Sequence, residues 1–505
     1  MPDSLTSQTV HGLKWTYAST IVNFVLQVGV TAVLARILAP KAFGTVAMAG
    51  VFISLGQYFA QLGVGQAVVQ RQHLSAHDVR TAFTSSVLLG VAFCALFVAL
   101  SPLVAVLFPH THGVVPIARV MSLTFVLGGL TATTQGLLQR RMAFRSIALI
   151  QIVSYVLGYA VIGLVLASTG FGAWSLVAAS LAQGALAAAA YTTVCRADIG
   201  FGFGAASLKS LYSFGGRVSL IGFAEFVASN LDTLWTGHFL GARATGLYTR
   251  ATNIATVPLS YLVTSLTQVL LPGYSRIQSE RRRLKSVYLT TITVFGVIML
   301  PISWGVAASA HEIVLTLLGG KWAPAAPVLA ILALAAPFSL LTHFGAVLCE
   351  ATATLNVKII IQVGRVAWLA ALLVGLTRFG IAGIAAAFAL SELVEHVAYL
   401  VVMRRLLTLS FGELWRAYVP GLAAGALTGL LLLGVHAGLI RLTWPAPAVL
   451  VVQLAVGVVC LFGAVAKARG GAIWQEVRGR LSEAGYRGDR KGVAGWAIRR
   501  LDALS

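Results

Sequence analysis

Charge is scarce in this chain. Of its 505 residues, 58% are apolar and only 10% are Asp, Glu, Lys or Arg, too little polar surface to cover a soluble globule of that size. Acids are the rarest charged class: 15 stand against 36 Lys and Arg, for a net charge of +21. In a soluble protein that balance would point to nucleic acid, but here the cations lie between apolar runs, which excludes that partner and points to a bilayer. Four cysteines, Cys94, Cys195, Cys349 and Cys460, lie apart with no CxxC spacing, so neither a zinc site nor a disulfide framework is expected. Walker loops, HExxH and GxSxG are missing, which excludes ATP hydrolysis on this chain and the common hydrolytic centres. The single GFGFG (Gly200 to Gly204) precedes a basic connector rather than following a strand and reads as a cytoplasmic turn.

What is present is apolar sequence in pieces of membrane length. Windows of roughly 20 residues recur from Trp15 to Val465, each able to cross about 30 Å of hydrocarbon as a helix. About 14 are expected, near 15–37, 43–68, 81–107, 114–138, 146–168, 172–194, 213–235, 246–272, 286–308, 324–348, 356–376, 381–403, 418–439 and 447–466. The expected class is therefore an all-α polytopic membrane protein; barrel strands would show as alternating segments of about ten residues. The first run is long, carries Asn23 and Gln27 and is followed by no small-residue cleavage pattern, so it is expected to remain as helix one. With a cytoplasmic amino terminus, about 26 of the 36 Lys and Arg fall inside and about 6 outside, as the positive-inside tendency requires. An even number of spans then places both termini in the cytoplasm.

The chain echoes itself. LARILAPKAFGTVAMA (Leu34 to Ala49) can be laid on TGHFLGARATGLYTRA (Thr236 to Ala251) with an offset of 202 residues, matching Leu38 to Leu240, Gly44 to Gly246 and Lys41 to Arg243. GFGAWSLV (Gly170 to Val177) falls on RFGIAGIA (Arg378 to Ala385) with an offset of 208. These offsets suggest two six-helix bundles in parallel pseudo-repeat, at 1–200 and 205–410, followed by helices 13 and 14 (411–466) and a basic cytoplasmic tail (467–505). In the tail, nine cations and four acids accompany VAGWAIRRLDAL, which spaces Val493, Trp496, Ala497, Leu501 and Leu504 as a helix lying on an anionic leaflet would. Ala39-Pro40 is expected to stop helix one and Gly44 to open helix two, which makes Arg36 and Lys41 the punctuation of an outer hairpin. The longest outer connection, Ala307 to Pro327, is mostly apolar and is expected to hold a short interfacial helix.

A charge within a span usually faces a cavity or a partner, because it costs roughly 2.5–3.5 kcal/mol at mid-helix. In helix seven, Arg217, Glu225 and Asp232 follow one another at 8 and 7 residues and share an arc of about 80°. Arg119, Arg250 and Arg365 are the other buried cations; Glu392, Glu395 and His396 lie in helix twelve. Arginine suits a phosphate ligand, since its planar fork donates two parallel hydrogen bonds and stays charged. Arg217, Arg365, Arg119 and Arg250 are accordingly the candidate substrate-binding cations, and Glu225, Asp232, Glu392 and Glu395 the candidate ion-coupling acids. Pairing of Arg365 with Glu392 or Glu395, snorkelling of Arg119 and Arg250, and simple packing of His396 are the structural alternatives.

LARILAPKAFGTVAMAGVFISLGQYFAQLGVGQAVVQ, GLLQRRMAFRSIALIQIVSY and GFGAWSLVAASLAQG, in this order and spacing, resemble the bacterial polysaccharide exporters of the MATE-like MOP superfamily, the Wzx-type flippases, over most of residues 10–410. The likeness is nearest to the branch serving exopolysaccharides such as colanic acid or xanthan. It implies a V-shaped pair of six-helix bundles in the inner membrane. It further implies a transporter, not an enzyme, that moves an undecaprenyl-diphosphate-linked oligosaccharide to the outer leaflet by alternating access. No cofactor is implied beyond a proton or sodium ion that resets the carrier, and the implied partners are the lipid-linked oligosaccharide, membrane lipids, a polymerase and export machinery. The rival readings are a drug antiporter of the same superfamily, which would want a net acidic cavity, a lipid II flippase, and a membrane enzyme, which the short loops disfavour.

Overall fold

Helix follows helix through this chain because its apolar windows have nowhere but a helix to satisfy their backbone groups in lipid. The computed structural model describes residues 5–60, 64–71, 74–111, 113–204, 215–352 and 354–470, and among them there are helices and turns and no strand. In chain order the helices are α1 (Leu5–Ile37), α2 (Pro40–Ala60), α3 (Val64–Gln70), α4 (Ala76–Leu100), α5 (Leu103–Leu107), α6 (Val114–Met121) and α7 (Leu123–Arg140). Then come α8 (Phe144–Tyr155), a π-helical segment Val156–Gly163, α9 (Leu164–Ser168) and α10 (Ala173–Val194). The rest is α11 (Gly215–Arg276), α12 (Arg281–Ala308), α13 (Ala310–Leu317), α14 (Ala326–Ala351), α15 (Leu355–Leu376), α16 (Gly380–Leu406), α17 (Phe411–Arg441) and α18 (Ala446–Gly470).

Nine helical stretches among the described residues are long and apolar enough to cross a bilayer, and Val22–Ile37 is a shorter apolar helix. One of them, Asn356–Leu406, carries two of the expected spans. α11 carries two as well, broken at Gly241, whose φ of 75° is open to glycine and strained for other residues. Solvent exposure runs opposite to that of a soluble protein: Leu430 is 69% exposed and Val459 and Phe462 are each 71% exposed, as lipid-facing side chains must be. The tail's expected surface helix falls on residues 471–505, outside the described residues.

The chain divides into two compact units, neither continuous in sequence. The first comprises Met1–Asn253, Leu317–Val328 and Val366–Ala387; the second comprises Ile254–Thr316, Leu329–Arg365 and Phe388–Ser505. Within the first, Met48, Phe52, Phe97, Phe108 and Phe125 form one core, and Ser86 and Thr133 hydrogen-bond between α4 and α7 at 3.2 Å. Within the second, Tyr274, Tyr288, Phe344, Tyr399 and Met403 pack together. The basic loops are held by ion pairs, Arg71 to Asp78 at 3.3 Å, Arg141 to Asp198 at 2.5 Å and Lys285 to Glu413 at 2.7 Å.

The hairpin between α1 and α2 departs from one expectation. α2 begins at Pro40, one turn before Gly44. Proline's missing N–H costs nothing at the first helical position, where that donor has no intrahelical partner anyway. Gly44 is needed instead for contact with its own echo. A Cβ at Gly44 would overlap the carbonyl oxygen of Ala242 and lie 2.7 Å from the Gly246 nitrogen; one at Gly246 would overlap the carbonyl oxygen of Pro40 and lie 3.0 Å from the Gly44 nitrogen. Positions 40 and 242, and 44 and 246, are those the 202-residue offset pairs, so the two copies pack reciprocally. The second echo is matched in backbone: Gly172 and Gly380, paired by the 208-residue offset, have φ of 55° and 65°.

The connection after α12 also departs from a plain loop. It holds the expected short helix, α13, followed by a 3₁₀ turn at Gly320–Ala325 that docks on the end of α1. Buried Trp322 donates its indole N–H to the carbonyl of Ala35 at 2.8 Å and meets the Phe43 ring edge-on at 5.3 Å. Lys321 Nζ donates to the carbonyl of Arg36 at 2.9 Å. Two of the carbonyls that a helix C-terminus leaves without partners are thereby satisfied, one by a cation.

Candidate functional site

Among the described residues, the expected site residues gather at two charged sites, one in each compact unit. In the first unit, Asp232 on α11 is 2% exposed, a position an ionised carboxylate keeps only if it is hydrogen-bonded. Its Oδ2 accepts the Tyr248 hydroxyl at 2.6 Å and its Oδ1 accepts the Thr233 backbone N–H at 2.7 Å. Nearby on the same helix, Trp235 donates to Thr377 Oγ1 at 2.7 Å. The break at Gly241 lets Tyr248 fold back onto Asp232, sixteen residues earlier.

Two residues beyond Tyr248, Arg250 is partly buried, with its guanidinium carbon 4.9 Å above the centre of the Phe43 ring. Its Nε is buried without a hydrogen-bond partner, and among the described residues no carboxylate comes within 4 Å. Tyr155 and Tyr159, within electrostatic reach of that guanidinium, stack on each other at 5.1 Å where α8 passes into the π-helical segment. π-helical irregularities re-aim side chains and frequently mark functional positions. Chemically this is a fixed positive charge with an aromatic floor and free donors, an arrangement able to accept an anionic ligand.

In the second unit, Arg365 on α15 meets two carboxylates from α16. It hydrogen-bonds Glu392, and its Nε lies 3.2 Å from Glu395 Oε2. The three side chains are 14%, 3% and 8% exposed, and Phe388 covers the guanidinium at 5.8 Å. Of the two structural alternatives the sequence offered for Arg365, both are realised at once. His396 is a packed residue: its Nδ1 is 2.8 Å from Thr342 Oγ1 and its Nε2 2.9 Å from the Tyr418 hydroxyl, so both ring nitrogens are engaged.

Of the remaining candidates, Arg119 is not brought to either site. Arg119 is exposed and donates its Nε to Ser101 Oγ at 2.8 Å. Arg217 and Glu225 lie on α11, with side chains outside the described residues. Sequence reasoning missed one buried pair. Glu312 on α13, 2% exposed, contacts His436 Nδ1 at 2.5 Å across 124 residues. The available signal was a lone carboxylate in an apolar connection; its partner could not be read from spacing.

A family model described as polysaccharide biosynthesis protein matches residues 33–327, more than half of the chain. The chain belongs to the polysaccharide biosynthesis protein family. This member of the family is 25% identical over 83% of its length to the lipopolysaccharide biosynthesis protein WzxC of Escherichia coli K12, covering 85% of that protein. It is 31% identical over 66% of its length to the succinoglycan biosynthesis transport protein ExoT of Rhizobium meliloti 1021, covering 67% of it. Its fold matches that of the lipid II flippase MurJ in an inward closed conformation with a TM-score of 0.67, over 91% of this chain and 99% of that one, at 14% identity. The family member is thus an all-α multi-pass membrane protein of the kind its sequence resembled, with a flippase-like fold and relatives named for polysaccharide biosynthesis and transport.

Proposed function

We propose that this protein is a transporter, not an enzyme, and that it flips a polyprenyl-diphosphate-linked oligosaccharide from the cytoplasmic to the outer leaflet of the bacterial inner membrane by alternating access. The observation that carries this reading is Arg250: a guanidinium over Phe43, without a carboxylate neighbour among the described residues, inside an apolar helical protein. A charge in that place is costly unless a ligand of opposite sign visits it, and a diphosphate is such a ligand. The sugars are too polar to cross hydrocarbon unaided, while the lipid tail can stay in the bilayer throughout. Asp232 with Tyr248, and Glu392 with Glu395, are the groups on which a proton or sodium ion would act to reset the carrier. In this reading both termini lie in the cytoplasm, and a polymerase and export machinery receive the product on the opposite side, after it has crossed.

Deleting the gene and assaying lipid-linked oligosaccharide by leaflet tests the reading. Accumulation on the cytoplasmic side is expected, restored by the wild-type gene and not by Arg250→Ala at equal protein level. Unchanged polymer export together with lost drug resistance would replace it with the antiporter reading.

A further inference from the structure

We infer that the connector between α16 and α17 holds the phosphate headgroup of an anionic phospholipid, with Arg404 as the side chain that grips it and Phe411 and Trp415 as the aromatic floor beside it. The site stands apart from the flippase reading, because it needs only that the two helices cross a bilayer. Both lie in stretches long and apolar enough to do so, which puts their connector at the level of the headgroups. The connector is built rather than loose. Thr408 takes a left-handed φ of 51°, and the Leu409 N–H turns back to the Arg404 carbonyl at 2.9 Å, closing the end of α16. Ser410 and Glu413 then cap the start of α17 reciprocally. Lys285 on α12 pins the turn, with its Nζ 3.3 Å from the Thr408 carbonyl oxygen and 2.7 Å from Glu413 Oε1.

The acid of this turn is already engaged: Glu413 meets Lys285 with one oxygen and accepts the Ser410 N–H with the other at 2.8 Å. Arg404, Arg405 and Arg416 are exposed, and among the described residues none of them pairs with a carboxylate. Arg404 lies over the Phe411 ring, its guanidinium carbon 3.9 Å from the ring centre, a contact that fixes the guanidinium and leaves its N–H donors at the rim. A phosphate accepts two such donors side by side. Phe411 and Trp415, four residues apart and so neighbours on one helix face, are 69% and 67% exposed, and aromatic rings at the end of a span favour the headgroup level. The same side of α17 continues apolar and open. At about 100° per residue, exposed Leu430 falls within about 60° of Trp415 and exposed Leu427 within about 20° of Arg416. An acyl chain lies along that side from a headgroup held at Arg404, a continuity that a water-soluble acidic partner lacks.

The test uses the purified full chain, with p-benzoylphenylalanine in place of Trp415, in nanodiscs of phosphatidylglycerol and phosphatidylcholine in equal amounts. Irradiation is expected to give lipid adducts at position 415, told apart by mass, with phosphatidylglycerol favoured about fivefold, the worth of one cation near an anionic surface. The preference should be lost in Arg404→Gln and should shrink at high salt. The salt arm needs no further variant, so it decides the matter even if Arg404→Gln folds poorly. Lipid adducts without a headgroup preference, or no lipid adduct, overturn the site. Adducts to a second protein chain overturn it in favour of a protein interface. A polyprenyl diphosphate that displaces the phosphatidylglycerol adduct when added at equal mole fraction assigns the turn to the transported lipid and overturns the phospholipid site.

Discussion

Placing a methyl group at Gly44 or Gly246 tests the packing of the two hairpins directly. Each Cβ would overlap a backbone carbonyl oxygen of the other hairpin and come within 2.7 Å or 3.0 Å of the opposing glycine nitrogen. Ordinary carbon-to-oxygen contacts are about 3.3 Å or longer, so the hairpins must separate by on the order of 1 Å. A carbonyl cannot swing aside as a side chain can, which places the cost at the upper end of overpacking, about 3 kcal/mol. Alanine returns about 1 kcal/mol of helix propensity, leaving a net loss of about 2 kcal/mol. That is about 30-fold in an equilibrium constant. Because both substitutions demand the same separation, the double variant should lose about 2–3 kcal/mol rather than the additive 4. Equilibrium unfolding in mixed micelles, followed by tryptophan fluorescence, measures all three. Single variants within about 0.5 kcal/mol of wild type, or a fully additive pair, would refute the reciprocal contact.

Trp322→Phe keeps a ring beside Phe43 but removes the donor to Ala35, and should cost about 1–2 kcal/mol in the same assay, with no change expected if that carbonyl is met by water. Arg365→Ala strands Glu392 and Glu395 in the spans and should destabilise the protein by about 3–5 kcal/mol, read as loss of folded protein in the membrane; Arg365→Ala combined with Glu392→Gln and Glu395→Gln should recover most of it. Glu312→Gln keeps a hydrogen bond to His436 but no charge, so it should cost less than His436→Ala, which leaves the carboxylate without that partner; equal losses would mean that His436 contributes only packing.

The spans were legible because an apolar window of about 20 residues has one physical solution in a bilayer. Element ends were less so: α2 begins at Pro40 because a turn's chemistry is decided by single residues. The echo at 34–49 and 236–251 was legible as sequence, yet its reciprocal glycine contact was not, since an offset says that two segments are alike and nothing about whether they touch. Arg365 with its acids could be guessed from neighbouring helices of opposite charge. Glu312 with His436, and Trp322 with Ala35, lie 124 and 287 residues apart, beyond any periodicity.

The turn that caps α1 sets an order of events during synthesis. Ala35 and Arg36 leave the ribosome long before Lys321 and Trp322, 285 and 287 residues later along the paired contacts. At 5–20 residues per second that interval is roughly 15–60 s, during which the end of the first helix has only headgroup water to bond its carbonyls. The first compact unit is therefore finished late, after Ile254–Thr316 and Leu329–Arg365 of the second have been made, since it also needs Val366–Ala387. A ribosome stalled before residue 317 would leave a chain of inserted helices with an open seam, and quality-control proteases in the membrane would have that seam to recognise.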